Sequence, residues 1–351
     1  MQDDQKENHV RRERYKGKNP KAFAEKYKEQ QPDVYAEEVA KIIKQGRTPA
    51  GTHRSICVNE IMEFLKVQPG QTGLDATLGY GGHSLEILKA LNKEGRLFAT
   101  DVDPFELPRT KERLQALGYE EEHLQIRQMN FSGIDRLIYE SGPLDFVLAD
   151  LGVSSMQIDN PERGFSMKVN GPLDLRLNPK NGKPASAFLK TVLREDLELI
   201  LKENADEPYN EQIAEAIVEN IKRGRDISTT NQLKEVITEA LEKLPFKITK
   251  EDIKKSCQRS FQALRIKLNN EFKVLDQFLE KLPDALAPGG RVAILSFHSG
   301  EDRRVKKSFQ YLFREGIYSE VASDPIRASA QECFANPRAK SAKLRWAIKS
   351  K

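Results

Sequence analysis

The sequence predicts an α/β protein: a doubly wound parallel sheet with helices on both faces, interrupted by an all-helical insertion. Three observations predict it. Short apolar strands alternate with amphipathic helices from residue 72 to residue 150. A glycine cluster, "GYGGHS" at residues 79–84, follows the first strand. Beyond residue 150 the alternation stops, and helical patterns fill the chain until the next strand near residue 290.

Residues 1–50 are predicted to be a basic, partly disordered extension. Nine Lys and Arg residues precede residue 30, and apolar periodicity begins only at Val34. Such a segment lacks the apolar surface that would offset its ordering entropy. One short amphipathic helix is expected over residues 33–45, and a second helix is expected in "CVNEIMEFLKV".

The alternating part contains four predicted strands, which are "TGLDAT", "GRLFATD", "LQIRQMN" and "LDFVLADLG". The last three are expected to end at Asp101, Asn130 and Asp150. The helices between them are "SLEILKALN", "LPRTKERLQALG" and "FSGIDRLIYE". Because crossovers between parallel strands are right-handed, the carboxyl ends of the strands meet at one edge of the sheet, where ligands bind.

The next predicted strand is "GRVAILSFHS" at residues 290–299. The intervening segment is far longer than a crossover requires, so a helical domain is expected at residues 155–255. The stretch from Cys257 to Leu286 is predicted to return to the sheet as one long helix. Residues 51–154 and 256–351 then form the sheet domain.

The composition limits the class of protein. Hydrophobic residues make up 38% of the 351 residues, the mean hydropathy is −0.62, and no run of about 18 apolar residues suggests a membrane span. The N-terminus has no apolar signal region. Three widely separated cysteines argue against a disulfide framework and a structural zinc site, so no metal and a cytoplasmic location are expected.

The charge near the C-terminus is uneven. Residues 302–351 hold twelve Lys and Arg against five Asp and Glu, which suits a phosphate-rich partner or simply a solvated surface.

The glycine cluster alone leaves several ligands open: NAD, FAD, a nucleotide, S-adenosylmethionine, or no ligand. Asp75, four residues before Gly79, disfavours an anionic pyrophosphate and favours a cationic cofactor such as S-adenosylmethionine. Asp101 lies where a carboxylate accepts hydrogen bonds from ribose hydroxyls, which either cofactor would use. Ser84 is expected to cap the following helix, and His83 is a ligand contact or a solvated loop residue.

Further candidates follow at the other strand ends. Asn130 and Phe131 stand where an adenine would be bonded and stacked, although a core role for Phe131 is equally compatible with the pattern. Asp150 reaches the centre of the predicted sheet edge, where the reacting group is expected.

A series of longer motifs points to one family. In order they are "HRSICVNEIMEFL", "DATLGYGGHS", "LADLGVSSMQIDNPERGFSMKVNGPLDLRLN", "RSFQALRIKLNNE", "APGGRVAILSFHSGEDR" and "NPRAKSAKLR". Together they resemble the RsmH/MraW family, S-adenosylmethionine-dependent methyltransferases that act on a cytidine N4 of small-subunit ribosomal RNA. The resemblance implies a class I Rossmann-like methyltransferase sheet with an inserted helical domain, and ribosomal RNA or a ribosomal subunit as partner.

Cofactor contacts follow from the resemblance. The family's motifs place them at Gly79, Gly81, Gly82, His83, Asp101, Phe131, Asp150 and Gln157. Asp150 is also the candidate catalytic acceptor, because amino-methyltransferases often carry an Asp or Asn, followed by Pro-Pro and an aromatic residue, at the end of the fourth strand. Here Asp150 is followed by Leu-Gly-Val, and a role in orienting the cofactor alone is the alternative. An exocyclic amine needs such an acceptor as the methyl group arrives.

The target base must leave its stack to be methylated. The candidates for shaping its pocket are Arg163, Phe165, Asp174, Arg176, Ser296 and His298. The candidates for phosphate contacts are Arg259, Arg265, Arg303, Arg304, Arg338 and Arg345.

Three features depart from the family pattern: the N-terminal extension, Gly300 in place of the usual Leu, and a shortened segment before "NPRAKS". They leave open a paralogue that methylates a different cytidine. A non-catalytic RNA-binding assembly factor and a small-molecule methyltransferase are the alternatives from other classes. The oligomeric state, monomer or homodimer, stays open.

Overall fold

The computed structural model describes residues 55–351, so the predicted extension and its helix over residues 33–45 lie outside the described residues. A seven-stranded sheet with the order β3-β2-β1-β4-β5-β7-β6 organises this part of the chain. The strands are β1 Thr72–Asp75, β2 Arg96–Asp101, β3 Leu124–Gln128, β4 Leu144–Asp150, β5 Leu286–Ser296, β6 Tyr318–Val321 and β7 Lys343–Lys349.

Thirteen α-helices belong to the same range. They are α1 Val58–Leu65, α2 Gly82–Leu91, α3 Glu106–Ala116, α4 Ile134–Ser141, α5 Ser155–Asp159, α6 Ala185–Leu189, α7 Arg194–Ala205, α8 Asn210–Lys222, α9 Thr230–Glu242, α10 Lys250–Asn269, α11 Glu271–Ala285, α12 Ser299–Arg314 and α13 Ala330–Ala335. None of the helices in residues 55–351 is both long and apolar enough to cross a bilayer.

The parallel part of the sheet confirms the predicted doubly wound arrangement. Strands β1 to β5 pair in parallel, with β1 between β2 and β4. Strand β7 then pairs antiparallel with β5, and β6 pairs antiparallel with β7. These last two strands were not predicted, although "KLRWAIK" carries a short apolar alternation. Strand β5 begins at Leu286 and ends at Ser296, and so is shifted from the expected residues 290–299.

Alternate residues along the strands pack into two separate hydrophobic cores, one on each face of the sheet. Leu97 and Phe146 face the core that packs under α1, α2 and α3, whereas their neighbours Phe98 and Val147 face the core under α4, α11 and α12. This follows from the two-residue period of a strand. Because both faces are covered, the strands read as nearly continuous apolar runs.

The long excursion after β4 has its own core. Buried side chains from Leu173 to Leu241, in α6 to α9 and the preceding loop, pack together with Cys257, Phe261 and Leu264 of α10. The shared core therefore continues past residue 255 into α10. The prediction of one long helix after Cys257 is wrong, because α10 and α11 are separated at Asn270. Asn270 has φ +51°, a left-handed conformation that Asn tolerates better than most residues.

Candidate active site

The glycine loop lies at the carboxyl ends of β1 and β2, where two contacts hold it. The Gly79 N–H donates to Asp101 Oδ2 at 2.7 Å, and its carbonyl accepts from Thr110 Oγ1 of α3 at 2.7 Å. The loop is thus tied to the end of β2 on one side and to a helix on the other.

Gly81 is required by its backbone conformation, whereas a side chain at Gly82 would need the Ser55 hydroxyl to move. Gly81 has φ +70°, and a Cβ there would lie 3.0 Å from Thr110 Cγ2. At Gly82 a Cβ would lie 2.1 Å from Ser55 Oγ. A side chain at either position would strain the backbone or displace its neighbour.

Asp75 and Ser84 form a buried pair beneath the loop. The prediction that Ser84 caps the helix is wrong: α2 begins at Gly82, its N-cap is Gly81, and Ser84 Oγ instead donates to Asp75 Oδ2 at 2.6 Å. The Thr77 N–H donates to Asp75 Oδ1 at 3.1 Å. Burial raises the pKa of Asp75, and its bonds with Ser84 and Thr77 offset only part of that rise.

Asp101 presents a second carboxylate at the same edge. Its Oδ1 accepts from the Asp103 N–H at 2.9 Å, while Oδ2 accepts from Gly79. Burial raises the pKa of Asp101 to about 6, although both backbone donors act in the opposite direction. Each carboxylate oxygen retains acceptor capacity for a ligand hydroxyl.

His83 and Asp150 approach each other across the loop. His83 Nε2 lies 3.5 Å from Asp150 Oδ2, and the His83 side chain is only 8% exposed. Burial opposes protonation of the imidazole, but Asp150 and then Asp75 outweigh it, so the pKa of His83 is raised. His83 is therefore buried in the site, which excludes the alternative of a solvated loop histidine.

Asp150 has one oxygen that the described protein leaves unused. Its backbone N–H donates to Thr77 Oγ1 at 2.6 Å, which fixes the end of β4 against β1. Its Oδ1 is buried and finds no hydrogen-bond partner among residues 55–351. A buried carboxylate oxygen without a donor is costly and indicates a place where a ligand donates.

Phe131 and Asn130 lie just beyond β3, which ends at Gln128 rather than at Asn130. Phe131 opens a 3₁₀ turn, and its ring packs edge-on against Phe278 at 5.1 Å between centroids. The Asn130 side chain accepts from the Ser132 N–H and so caps that turn. Phe131 is half-buried and packs against the core under α4, α11 and α12.

Gln157 and Arg163 converge on Asp103, a residue that the sequence motifs do not single out. Gln157 Nε2 and Arg163 Nη1 each donate to Asp103 Oδ2 at 2.7 Å. The "DP" pair at residues 103–104 is a helix-start pattern that could have drawn attention to Asp103. Gln157 also completes a capping box with Ser154 at the start of α5.

The other pocket candidates in the loop before α6 are also held in place. Arg176 donates from Nε and Nη2 to the two carboxylate oxygens of Asp174, each at 2.7 Å. Phe165 is half-buried against the helical core. Leu175, which lies between Asp174 and Arg176 in the chain, has φ +65°, an uncommon conformation for a branched residue. Such strain persists only where the surroundings enforce it.

His298, just beyond β5, and Arg265 of α10 both act on the buried Glu301. Arg265 pairs through two bonds of 2.8 Å with Glu271. His298 Nε2 lies 3.3 Å from Glu301 Oε1. Burial of Glu301 would raise its pKa, but His298 and Arg265 outweigh burial and the pKa is lowered. Ser296 is buried and donates to the Lys343 carbonyl, so it supports the strand rather than facing a pocket.

The six arginines expected to contact phosphates all pair with carboxylates of this chain. The pairs are Arg259–Glu207, Arg265–Glu271, Arg303–Asp206, Arg304–Asp276, Arg338–Asp159 and Arg345–Asp302. Arg345 is nearly buried and braces β7. Arg303 and Arg304 remain more than one-third exposed, so their free N–H groups face solvent.

Gly300 has a direct structural explanation. A Cβ at this position would lie 2.5 Å from Cζ of Phe272. The Phe272 ring therefore occupies the space that a side chain at residue 300 would need. The ring also packs under the Arg304 guanidinium, 4.3 Å from its centroid, and against His298.

Cys57, Glu60 and Glu332 lie near this edge with ligand atoms within 4.8 Å of one another. The Cys57 N–H donates to Glu332 Oε1 at 2.9 Å. Burial raises the pKa of Cys57 to about 12, and the nearby carboxylates add to this. The thiol is thus protonated at neutral pH.

Comparison with known proteins gives a consistent assignment. The profile of the "MraW methylase family" matches residues 50–350. "Ribosomal RNA small subunit methyltransferase H 2" of Alkaliphilus metalliredigens is 66% identical over 99% of this chain and 100% of its own length. "Ribosomal RNA small subunit methyltransferase H 1" of Lachnoclostridium phytofermentans is 61% identical over 97% of this chain and 93% of its own. "Ribosomal RNA small subunit methyltransferase H" of Thioalkalivibrio sulfidiphilus is 40% identical over 85% of this chain and 98% of its own. With its glycine loop, its acidic strand ends and a profile match over nearly all the described residues, this chain belongs to the MraW methylase family.

Proposed function

We propose that this chain transfers a methyl group from S-adenosylmethionine to the exocyclic N4 of a cytidine in small-subunit ribosomal RNA. The names of the relatives support the class of RNA, and the family motifs support the cytidine amine. The observation that carries the proposal is Asp150, whose buried Oδ1 has no hydrogen-bond donor among the described residues at the centre of the sheet edge.

The residues present fit this cofactor. Three carboxylates, of Asp75, Asp101 and Asp150, end neighbouring strands β1, β2 and β4. Such a group attracts a cofactor with a sulfonium and an ammonium, and repels a pyrophosphate. The residues that would hold it are Gly79, Gly81, Gly82, His83, Asp101, Phe131, Asp150 and Gln157.

When bound, S-adenosylmethionine supplies an electrophilic methyl group. The lone pair of a cytosine N4 amine is delocalised into the ring, so the amine is a weak nucleophile. Asp150 Oδ1 is free to accept an N–H of that amine and to take up the positive charge that develops on it. His83 Nε2 lies 3.5 Å from Oδ2 of the same carboxylate, while Oδ1 has no hydrogen-bond donor among the described residues.

Recognition of RNA is assigned to the helical part. We take residues 155–255 as the substrate-recognition domain, and residues 51–154 and 256–351 as the methyltransferase domain. The target base must be extruded from its stack to reach Asp150, and Arg163, Phe165, Asp174, Arg176 and His298 would frame its pocket. Arg259 and Arg265 keep their carboxylate partners and would offer phosphates only their remaining N–H groups.

The partner is then ribosomal RNA or an assembling ribosomal subunit, and the location is the cytoplasm. Three candidate contributors to RNA affinity are independent of the paired arginines: the basic extension of residues 1–50, the exposed Lys306 and the exposed Lys307. Each would contribute through salt-dependent phosphate contacts.

A second candidate is the same reaction on a cytidine of another RNA, outside small-subunit ribosomal RNA. It is favoured by the Phe272 ring, which occupies the space that a side chain at residue 300 would need. The Phe272 ring also contacts His298, one of the pocket candidates, so it alters the surroundings of the site.

Nucleotide-resolution mapping of N4-methylcytidine tests both candidates. Ribosomal RNA from cells with and without this gene is compared, and an Asp150→Ala chain is used for complementation. Loss of one small-subunit N4-methylcytidine, restored by the wild-type chain alone, supports the proposal. Loss of a mark in another RNA supports the second candidate. An unchanged methylation map contradicts both and favours an assembly role.

A further inference from the structure

Asp103 lies two residues beyond the end of β2 and is completely buried. Its Oδ1 accepts from the Phe105 N–H at 2.9 Å and from the Glu106 N–H at 3.3 Å, which fixes the start of α3. Its Oδ2 accepts from Gln157 and Arg163. Four donors from three separate parts of the chain thus converge on one carboxylate.

Arg163 extends this contact to the loop before α6. The Arg163 side chain is only 7% exposed. Its Nη2 donates to the Leu177 carbonyl at 2.8 Å and to the Arg176 carbonyl at 3.2 Å. The buried guanidinium therefore connects Asp103 to the backbone beside the Asp174–Arg176 pair.

The far side of the same loop is held by α10. Asn269 Oδ1 accepts from the Leu177 N–H at 2.7 Å, and Asn269 Nδ2 donates to the Leu175 carbonyl at 2.8 Å. Leu175 is the residue with φ +65°. The strained backbone is thus clamped between Arg163 and Asn269.

A continuous series of hydrogen bonds joins the loop of residues 163–177 to the glycine loop of residues 79–84. The Asp103 N–H donates to Asp101 Oδ1, and Asp101 Oδ2 accepts from Gly79. Asp101 thus faces the cofactor loop, and Asp103, two residues later, faces the loop that carries the pocket candidates. The end of β2 and the turn after it therefore contact both loops, through Asp101 and Asp103 respectively.

We infer that Asp103 is a positioning residue for RNA recognition: through Arg163 it holds residues 163–177 in the conformation that receives the target nucleotide. This rests on the proposed function. Without the Asp103 charge, Arg163 becomes a buried cation lacking its counter-charge, and the loop loses its anchor on the sheet. The hydrogen bond between Asp101 and Gly79 does not involve the Asp103 carboxylate. Gln157 loses one bond when that carboxylate is changed but keeps its two bonds with Ser154.

The test compares Asp103→Asn with Glu239→Gln in the full-length chain. Glu239 pairs with Arg225 through two bonds on the outer surface of the helical part, and so provides a matched loss of a carboxylate from an arginine pair. The substrate is small ribosomal subunits from cells lacking this gene. Calorimetry with S-adenosylmethionine and steady-state methylation kinetics are measured on each chain.

For Asp103→Asn we expect at least a tenfold rise in KM for the subunit, with the Kd for S-adenosylmethionine within threefold of wild type. Glu239→Gln should change both values less than twofold. Arg163→Lys keeps the charge but loses the double reach to Asp103 and the carbonyls, so its KM should lie between those of wild type and Asp103→Asn. If Asp103→Asn does not fold, Arg163→Lys tests the inference in its place.

An unchanged KM for the subunit in a folded Asp103→Asn or Arg163→Lys chain overturns the inference. So does an equal loss of S-adenosylmethionine affinity and subunit affinity, which would indicate a general structural role. Failure of the wild-type chain to methylate the subunit refutes the proposed function instead. In that case subunit binding by the same variants, measured by filter retention, decides the inference separately.

Discussion

The Nε2 atom of His83 lies 3.5 Å from Oδ2 of Asp150, with the imidazole buried and the other carboxylate oxygen unpaired among the described residues. The two residues come from the start of α2 and the end of β4, so the pair joins the glycine loop to the centre of the sheet edge. One oxygen of Asp150 lies near the His83 imidazole, and the other is buried without a hydrogen-bond donor among the described residues. The chemistry expected of Asp150 depends on this asymmetry.

Asp150→Asn should lower kcat for RNA methylation by about 10²- to 10⁴-fold, the usual contribution of a positioned acid–base group. The Kd for S-adenosylmethionine should change by less than about tenfold, because the loss of one charge weakens attraction to the cofactor only in part. Asp145→Asn is a suitable control, since Asp145 lies near the opposite end of β4 and its Oδ2 accepts from the Thr72 N–H, away from the site. Equal losses of binding and turnover would make Asp150 a cofactor ligand only.

S-adenosylmethionine affinity should fall as the pH drops through about 6, the pKa to which burial raises Asp101. Below that pH the carboxyl is protonated and accepts hydrogen bonds poorly, so Kd should rise up to about tenfold per pH unit. The folded state binds this proton more readily than the unfolded chain does. Protonation of Asp101 therefore adds stability to the free protein as the pH falls from about 6 towards 4, even while cofactor binding weakens.

Calorimetry between about pH 5 and pH 8 measures this dependence in the wild type and in Asp101→Asn, a window that brackets the raised pKa of Asp101. The variant should bind more weakly at the alkaline end and show a flatter profile, which retains the contributions of Asp75 and His83. His83, whose pKa is also raised, adds a repelling positive charge at low pH. Parallel profiles for the two chains would show that Asp101 does not carry the effect.

Gly300→Ala should destabilise the protein by about 1–3 kcal/mol, the usual cost of overpacking. The new methyl group would lie 2.5 Å from the Phe272 ring. In a Phe272→Ala background the same substitution should cost little, because the ring is gone, so the two changes should be non-additive. Urea unfolding of the single and double variants measures the coupling. Additive free energies of unfolding would mean that the ring moves aside at no cost.

A chain that begins at Gly51 should keep the fold and the affinity for S-adenosylmethionine, since the family profile covers residues 50–350. It should bind ribosomal RNA more weakly and with a shallower salt dependence, by about one unit of slope for each phosphate that the extension neutralises. Binding isotherms at several salt concentrations measure this. If the affinity and its slope are unchanged, the extension serves another partner; if the shortened chain unfolds, the extension is packed structure.

The sheet edge could be predicted from sequence because its signals are local. Short apolar runs that end in Asp75, Asp101 and Asp150 define the strand ends, and right-handed connection brings them to one edge. The glycine pattern then marks the loop between β1 and α2. Each of these inferences depends on residues within a few positions of one another.

The pairings over long distances could not be predicted in this way. Asp103 and Arg163 are sixty residues apart, and nothing in either neighbourhood indicates the other. The same holds for Arg345 and Asp302, whose contact depends on the antiparallel strand β7. Exposed basic residues are typical of RNA-binding proteins, but a carboxylate brought near by folding reduces the charge that each one offers. The left-handed Asn270 likewise interrupts a helical pattern that is continuous in sequence.

The placement of the helical part between β4 and β5 has an evolutionary consequence. These two strands are hydrogen-bonded neighbours, with Asp150 opposite Leu295. Helices α6 to α9 of the excursion form their own core, apart from this pairing and from the glycine loop, whereas Gln157 and Arg163 at its start bond to Asp103 beside the site. The fold therefore allows lineages to diversify the polynucleotide that they select while inheriting the methyl-donor machinery unchanged.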